Sequence, residues 1–157
     1  MGRTPRRSSR SFRWRLDPAH QIIAHIEETF LATILHLLPA HDWDNLGHLA
    51  PVVNASLDDV GFIHCTDDHD VLLRVANAFY TEEPGKFVAL LIDTERLLSP
   101  CVWEAPAHIR ATDDELVPLF PHVYGVIDRQ AILGAQDVQR DVSGRFIGFG
   151  EMRTDRA

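Results

Sequence analysis

His36, His64 and His122 each stand inside a short apolar stretch of the chain. An imidazole held in a strand can donate a hydrogen bond, exchange a proton or bind a metal ion, because its charge changes near neutral pH. The alternative for each histidine is a core position in which the ring bonds to a main-chain carbonyl. Spacing in the sequence does not distinguish these two interpretations. The three histidines therefore indicate which strands could form a site, but they do not indicate a reaction.

Two hydroxyl groups follow these histidines at strand spacing. Thr66 stands two residues after His64, and Tyr124 stands two residues after His122. Residues two apart in a strand point to the same face, so each hydroxyl is expected beside its histidine. Phe120 opens the segment that contains His122 and is a further candidate for ligand contact.

Glu104 directly follows Trp103. A carboxylate that an indole partly desolvates could act as a base or bind a ribose hydroxyl, and Trp103 could then contact the ligand. The alternative is a solvated carboxylate beside a tryptophan that anchors the core. Both interpretations stay open on the sequence.

The two cysteines, Cys65 and Cys101, lack CxxC spacing and exclude a disulfide framework, which favours a reduced compartment. Cys65 precedes a predicted helix N-terminus, an environment that lowers a thiol pKa. A small apolar residue on the inner face of a sheet is nevertheless the favoured interpretation of Cys65. His64 and Cys65 are adjacent and point to opposite strand faces, and no zinc-type spacing is present, so no metal ligand is assigned.

Apolar runs, capping residues and turn residues predict the elements that position these side chains. The run Phe87 to Ile92 is typical of a strand buried on both faces. Thr66 or Asp67 is expected to cap a helix that continues to about Tyr80. Short strands around one convincing helix favour a mixed α+β sheet over regular βαβ alternation. Strands are predicted over 33–38, 61–65, 87–92, 102–104, 119–127, 136–140 and 145–149. Helices are predicted over 18–30 and from 66 or 67 to 80, with one helical turn or more within 40–49, one turn within 129–133 and a loop over 51–59.

Charge is distributed unevenly along the chain, whose net charge is −8. The first 16 residues hold six of the 15 basic residues and no acid, which leaves nine basic residues against 23 acids in the remainder, a charge of −14. An acidic body repels nucleic-acid phosphates, so no nucleic-acid partner is expected for the folded domain. No apolar run approaches the length of a membrane span, and no membrane partner is expected.

The Arg-rich tail over residues 1–16 is expected to be disordered, because its composition buries little apolar surface. It lacks the apolar stretch of a secretory signal, and we expect an uncleaved extension of a cytoplasmic protein. A helical extension over 17–32, a single α+β domain over 33–150 and a flexible terminus over 151–157 complete the predicted organisation. Protein partners, oligomeric state and any role of the tail are not indicated.

The ordered segments of the chain resemble the family catalogued as domain of unknown function 952, over about Thr33 to Phe149. Thr66 stands where a serine is more usual in that family, which keeps the hydroxyl. The matching segments are Ile34 to Leu37 with Trp43, Ser56-Leu57, Gly61 to Thr66, Leu90 to Asp93, Trp103-Glu104, Leu119 to Gly125 and Gly144 to Phe146.

The resemblance implies a fold similar to the ADP-ribosyltransferases, which hold NAD in a cleft of a split, mostly antiparallel sheet. By position, His36 takes the first place in the nicotinamide–ribose pocket, and the strand from His64 to Thr66 takes the second. The third place goes to His122, Tyr124 or Glu104, and no glutamate lies in the segment from 120 to 125. Fold similarity does not establish a reaction.

Three functions follow as hypotheses. The first is a pocket for a nucleotide-like small molecule of the NAD or ADP-ribose type, in a degenerate or active enzyme with transferase or glycohydrolase-like chemistry. In it, His64, His122, Tyr124 and Glu104 are the catalytic candidates, and His36, Thr66, Phe120 and Trp103 contact the ligand. NAD would be a substrate or ligand rather than a fixed cofactor. The second hypothesis is a binding or sensor module without turnover, and the third is a histidine-based metal site.

Overall fold

The computed structural model describes residues 33–106 and 118–153, so the expected tail and the helix over 18–30 lie outside the described residues. The predicted strands and the long helix are confirmed, with shifted ends. Strand β7 runs past the expected domain boundary at residue 150. The elements are β1 (Thr33–Pro39), α1 (Ala40–Asn45), α2 (Ser56–Asp59), β2 (Ile63–His64), α3 (His69–Phe79), β3 (Phe87–Asp93), β4 (Cys101–Glu104), β5 (Phe120–Val123), β6 (Ile132–Arg140) and β7 (Phe146–Arg153), with 3-10 turns at Thr94–Arg96 and Arg129–Ala131.

Two sheets carry the strands of the described ranges. The first has the order β1-β3-β6-β7 and the second the order β2-β5-β4, and all pairs within them are antiparallel. Leu35 of β1 and Thr66 join the sheets through two main-chain hydrogen bonds of 2.6 and 2.9 Å. The expected α+β class with antiparallel sheets and few helices is confirmed.

Alternating side chains of the first sheet supply two apolar clusters, as the pleat of a strand requires. One cluster joins both sheets and includes Ile34, Leu90, Ile63 and Val123. The other contains side chains from the opposite face of the first sheet together with Leu72 and Ala76 of α3. The uninterrupted apolar run of β3 contributes to both clusters, which explains why it shows no polar alternation.

The N-cap of the long helix lies one residue after Asp67, the second of the two residues predicted for that position. The carboxylate of Asp68 accepts a hydrogen bond of 2.9 Å from the Val71 N–H and forms the N-cap of α3. The prediction of Thr66 or Asp67 was wrong, because both side chains have other partners. The Thr66 hydroxyl donates to the main-chain oxygen of Asp68, and the Asp67 carboxylate accepts from the Trp103 indole.

Smaller differences concern loops and strand ends. The segment over 51–59, expected as a loop, ends in the single turn of α2. Strand β5 stops at Val123 rather than near Ile127, since the chain turns at Gly125, whose φ is +148°. Strand β6 begins four residues before the expected position because its pairing with β3 extends to Ile132.

Candidate functional site

The second sheet presents two faces of different character. His64 of β2 lies opposite His122 of β5, and Val102 of β4 lies opposite the same histidine. Directly paired residues of antiparallel strands share a face. Ile63 and Val123, which form the next pair, point the other way into the core that joins the two sheets. We call the face that carries His64 and His122 the outer face.

Glu104 connects two site residues on this face. Nδ1 of His122 donates to Oε2 of Glu104 at 3.0 Å, and the Tyr124 hydroxyl donates to the same oxygen at 2.6 Å. His122 is only 4% exposed, whereas Tyr124 is 40% exposed. The carboxylate therefore fixes the orientation of a buried imidazole and of a solvent-accessible phenol.

Phe62 packs among the polar side chains of the outer face. Its ring stacks on His122 with centroids 4.0 Å apart, and it meets His64 edge to face at 4.8 Å. The rings of His64 and His122 are perpendicular, with centroids 5.2 Å apart, and Tyr124 lies 5.3 Å from Phe62. These five residues, Phe62, His64, Glu104, His122 and Tyr124, form what we call the outer-face cluster.

Hydrogen bonds shift the pKa values of Glu104 and Tyr124, whereas desolvation shifts that of His64. The hydrogen bond from Tyr124, followed by that from His122, lowers the pKa of Glu104, and the same carboxylate raises the pKa of Tyr124. Of the two interpretations of Trp103-Glu104, the structure does not favour desolvation by the indole, because adjacent strand residues point to opposite faces. Desolvation, and then the neighbouring His122, lowers the pKa of His64.

His36 lies behind the cluster instead of within it. Its side chain is on the same face of β1 as Ile34 and Leu38, which both belong to the core that joins the sheets. Nδ1 donates to the main-chain oxygen of His64 at 2.9 Å, while the buried Nε2 has no hydrogen-bond partner among the described residues. Burial lowers the pKa of this imidazole. His36 thus contacts the strand of His64 from the core side.

Thr66 and Cys65 are also buried. The Thr66 hydroxyl donates to the main-chain oxygen of Asp68 at 3.4 Å, a local contact at the start of α3. Burial raises the pKa of the Cys65 thiol, so the lowering expected beside a helix N-terminus was wrong. The helix begins at His69, four residues after Cys65, and Cys65 packs in the core as the favoured interpretation predicts.

Trp103 and Phe120 lie at the margin of the cluster. The indole Nε1 of Trp103 donates to a carboxylate oxygen of Asp67 at 3.3 Å, which ties β4 to the segment before α3. Phe120 is half-buried and lies opposite Glu104 in the pairing of β4 with β5. Phe120 therefore shares the outer face, whereas Trp103 points to the other side of β4.

A family model described as "Protein of unknown function (DUF952)" matches residues 37–135, which is more than half of the chain. The chain belongs to the DUF952 family. The predicted resemblance is therefore confirmed, although His36 and the segment Gly144 to Phe146 lie outside the matched residues. A comparison with curated proteins gives no match.

Two solved structures resemble the DUF952 chain, and both are of protein CC0527 from Caulobacter crescentus. The first is 21% identical, covers 73% of this chain and 93% of CC0527, and has a TM-score of 0.56. The second is a double mutant of the same protein, 20% identical with the same coverage and TM-score. At this identity the likeness shows a shared fold and nothing about activity.

Phe62 is the member of the outer-face cluster to which the sequence analysis gave no role. It stands two residues before His64, and that spacing alone would have placed it on the same strand face as the histidine. Its contact with His122 depends on the pairing of β2 with β5, which the DUF952 sequence does not display. Glu104, in contrast, was named as a candidate, but its partners were not.

Within the described ranges, no three His, Cys, Asp or Glu side chains are grouped so that they could hold a metal ion. Among the same residues, every helix is too short or too polar to cross a bilayer.

Proposed function

We propose that the outer-face cluster binds a nucleotide-like ligand of the NAD or ADP-ribose type and carries out acid–base chemistry at its ribose. The observation that carries the proposal is the shared contact of Glu104 Oε2 with His122 and Tyr124. A carboxylate anchored in this way keeps its second oxygen for the hydroxyl groups of a ribose. The ADP-ribosyltransferase-like fold is part of this proposal.

The roles follow from the chemistry of each group. Glu104 fixes the His122 ring and balances the charge of an imidazolium, which leaves Nε2 to exchange a proton with the ligand. Phe62 and Tyr124 supply aromatic surface for a planar base. Glu104 also supplies a carboxylate for the third place in the nicotinamide–ribose pocket. This carboxylate stands on β4 and not in the segment that begins at Phe120.

In an enzyme of this type, the reaction is transfer or hydrolysis of the glycosidic bond of the ligand. A carboxylate close to the ribose stabilises the positive charge that develops as such a bond breaks. Glu104 is suited to this role because hydrogen bonding lowers its pKa and keeps it ionised.

Binding is tested first by isothermal titration with NAD and with ADP-ribose at millimolar ligand. We expect saturable heat for at least one of the two, which Glu104→Gln abolishes. Glu151→Gln is the matched control, since it removes the same charge from an exposed position on β7. Absence of heat with both ligands contradicts the proposal.

A second candidate function is ligand binding without turnover. It is favoured by the burial of His122, which is 4% exposed with Phe62 stacked on its ring, so that the imidazole is screened from bulk water. This candidate predicts heat in the same titration but no product. If chromatography detects nicotinamide released from NAD by the wild-type chain, binding without turnover is excluded.

A further inference from the structure

The outer-face cluster contains two imidazoles in unlike surroundings. The two rings stand at a centroid distance of 5.2 Å, perpendicular to each other, on paired positions of adjacent strands. His122 is buried and bonded to Glu104, whereas His64 is exposed and contacts no carboxylate within the described ranges. Two proton-exchanging groups of this kind can divide the roles of acid and base between them.

The groups around His64 indicate which role it takes. On β5 it faces His122, whose Nδ1 is bonded to Glu104 of β4, and Tyr124 belongs to the same cluster. From β1, His36 bonds to the main-chain oxygen of His64. Desolvation and His122 lower the pKa of His64, so it is neutral and can accept a proton from a water molecule. The carboxylate on Nδ1 of His122 balances the charge that a proton donor carries.

The chemistry of the leaving group then selects the substrate. Nicotinamide leaves NAD as a neutral pyridine and takes up no proton, so one of the two imidazoles would be idle in NAD hydrolysis. An alcohol that leaves a ribose must receive a proton as its bond to carbon breaks. A site with both an acid and a base therefore fits an O-linked ribosyl group better than NAD itself.

Resting on the proposed function, we infer that the outer-face cluster hydrolyses ADP-ribose joined through its ribose to an alcohol, with His64 as the base and His122 as the acid. A water oxygen forms the new bond to the ribose carbon, and His64 takes the water proton. The bond from that carbon to the alcohol oxygen breaks, and His122 gives its Nε2 proton to the leaving oxygen. The products are ADP-ribose and the free alcohol, and the proton on His64 passes back to His122, whose ring centroid lies 5.2 Å away.

The experiment compares two ADP-ribose conjugates that differ only in the leaving group, one a simple alkyl alcohol and the other 4-nitrophenol. The full chain is expected to cleave both. His122→Gln should slow cleavage of the alkyl conjugate by about 100-fold or more, the range of a lost general acid, and that of the nitrophenyl conjugate by less than about 10-fold. His64→Gln should slow both by about 100-fold, because each needs an activated water molecule.

Controls separate catalysis from folding. His48→Gln is the matched control, since His48 is exposed and outside the cluster, and its rates should equal those of the wild type. Because His122 is buried, His122→Asn provides a second variant with a smaller side chain, and the same selective loss is expected on the alkyl conjugate. The rates with both conjugates should fall as the pH drops through the lowered pKa of His64, because a protonated His64 cannot accept the water proton.

The outcomes distinguish this inference from the proposed function. If ADP-ribose binds but the alkyl conjugate is not cleaved, or if the His122 variants slow both conjugates equally, the acid–base pair is wrong while the ligand class stands. If ADP-ribose and both conjugates give neither heat nor product, the proposed function fails and the inference fails with it.

Discussion

Nδ1 of His36 lies 2.9 Å from the main-chain oxygen of His64, across the junction of the two sheets. Beside this contact, the junction holds the two main-chain hydrogen bonds between Leu35 and Thr66. The strand that carries an exposed site histidine is thus held from behind by a buried one. This relationship makes His36 a positioning residue for the outer-face cluster.

The first prediction concerns stability as a function of pH. Burial lowers the pKa of His36 below its ordinary value of 6.5, so the folded protein disfavours the charged ring. The stability that the neutral ring contributes is present above pH 6.5 and is lost as the pH falls through the lowered pKa. His36→Asn, which keeps a donor but does not titrate, should flatten this part of the pH dependence. Urea unfolding at several pH values measures it.

The His36 comparison has a matched control in His48→Asn. That substitution removes an exposed imidazole and should leave the pH dependence of the unfolding free energy unchanged. An equally steep pH dependence in His36→Asn and the wild type would show that burial of His36 does not contribute to the acid sensitivity of the fold.

The second prediction concerns the phenol of Tyr124. Glu104 accepts its hydrogen bond and repels the phenolate, which raises the pKa of Tyr124 above 10.0. Glu104→Gln should lower the pKa of Tyr124 toward that ordinary value. The chain has two tyrosines, so a Tyr80→Phe background isolates the ultraviolet signal of Tyr124. The same shift in Glu151→Gln would attribute the effect to overall charge rather than to the hydrogen bond.

The third prediction concerns Arg140 of β6, which anchors the turn after α3. Its guanidinium donates to the main-chain oxygens of Thr81 at 2.7 Å, Glu83 at 2.6 Å and Gly144 at 2.8 Å, and it lies over the Phe146 ring at 4.6 Å. Arg140→Lys should lower the free energy of unfolding by about 2–3 kcal/mol, because an ammonium cannot reproduce this planar fan of donors.

The matched control for Arg140 is Arg74→Lys, which makes the same change at an exposed position on α3. Chemical denaturation of both variants provides the comparison. Equal stability of the two variants would mean that the bonds from Arg140 are replaced by water at no cost.

The fourth prediction concerns the turn at Gly125, directly after Tyr124. Its φ of +148° is rarely adopted by residues with a side chain, and an added Cβ would lie 2.5 Å from the hydroxyl oxygen of Ser99. Gly125→Ala should therefore destabilise the fold by about 1–3 kcal/mol. Thermal unfolding measures the loss of stability. Gly85→Ala is the control, because Gly85 has a φ of +99° and no atom within 4 Å of an added Cβ, so this variant has backbone strain without a steric clash. If Gly125→Ala loses no more stability than Gly85→Ala, the clash with Ser99 does not contribute.

Part of the site was predictable from local pattern. Alternation within a strand places Phe62 with His64 and His122 with Tyr124, because the side-chain period of a strand is two residues. The same rule separates His64 from the buried Cys65, as the structure confirms. The burial of β3 on both faces follows equally from its unbroken apolar run.

Other features depended on contacts between distant segments. Glu104 and His122 are 18 positions apart, and their contact requires the antiparallel register of β4 and β5. Asp68 rather than Asp67 caps α3, while the Asp67 carboxylate accepts from the indole of Trp103, 36 positions away. Neither register nor strand order can be read from composition, because both depend on which buried surfaces fit together.

The sequence by itself determined the family through the resemblance of its ordered segments. It also determined the α+β class and the strands that carry the histidines, since these depend on apolar runs, capping residues and local spacing. Only the tertiary structure decided that His36 supports the site from the core, that Thr66 is buried, and that Glu104 bonds to both His122 and Tyr124. The physical reason is that hydrogen bonds between strands form only after their register is fixed. That register depends on the packing of whole sheets and not on any one segment.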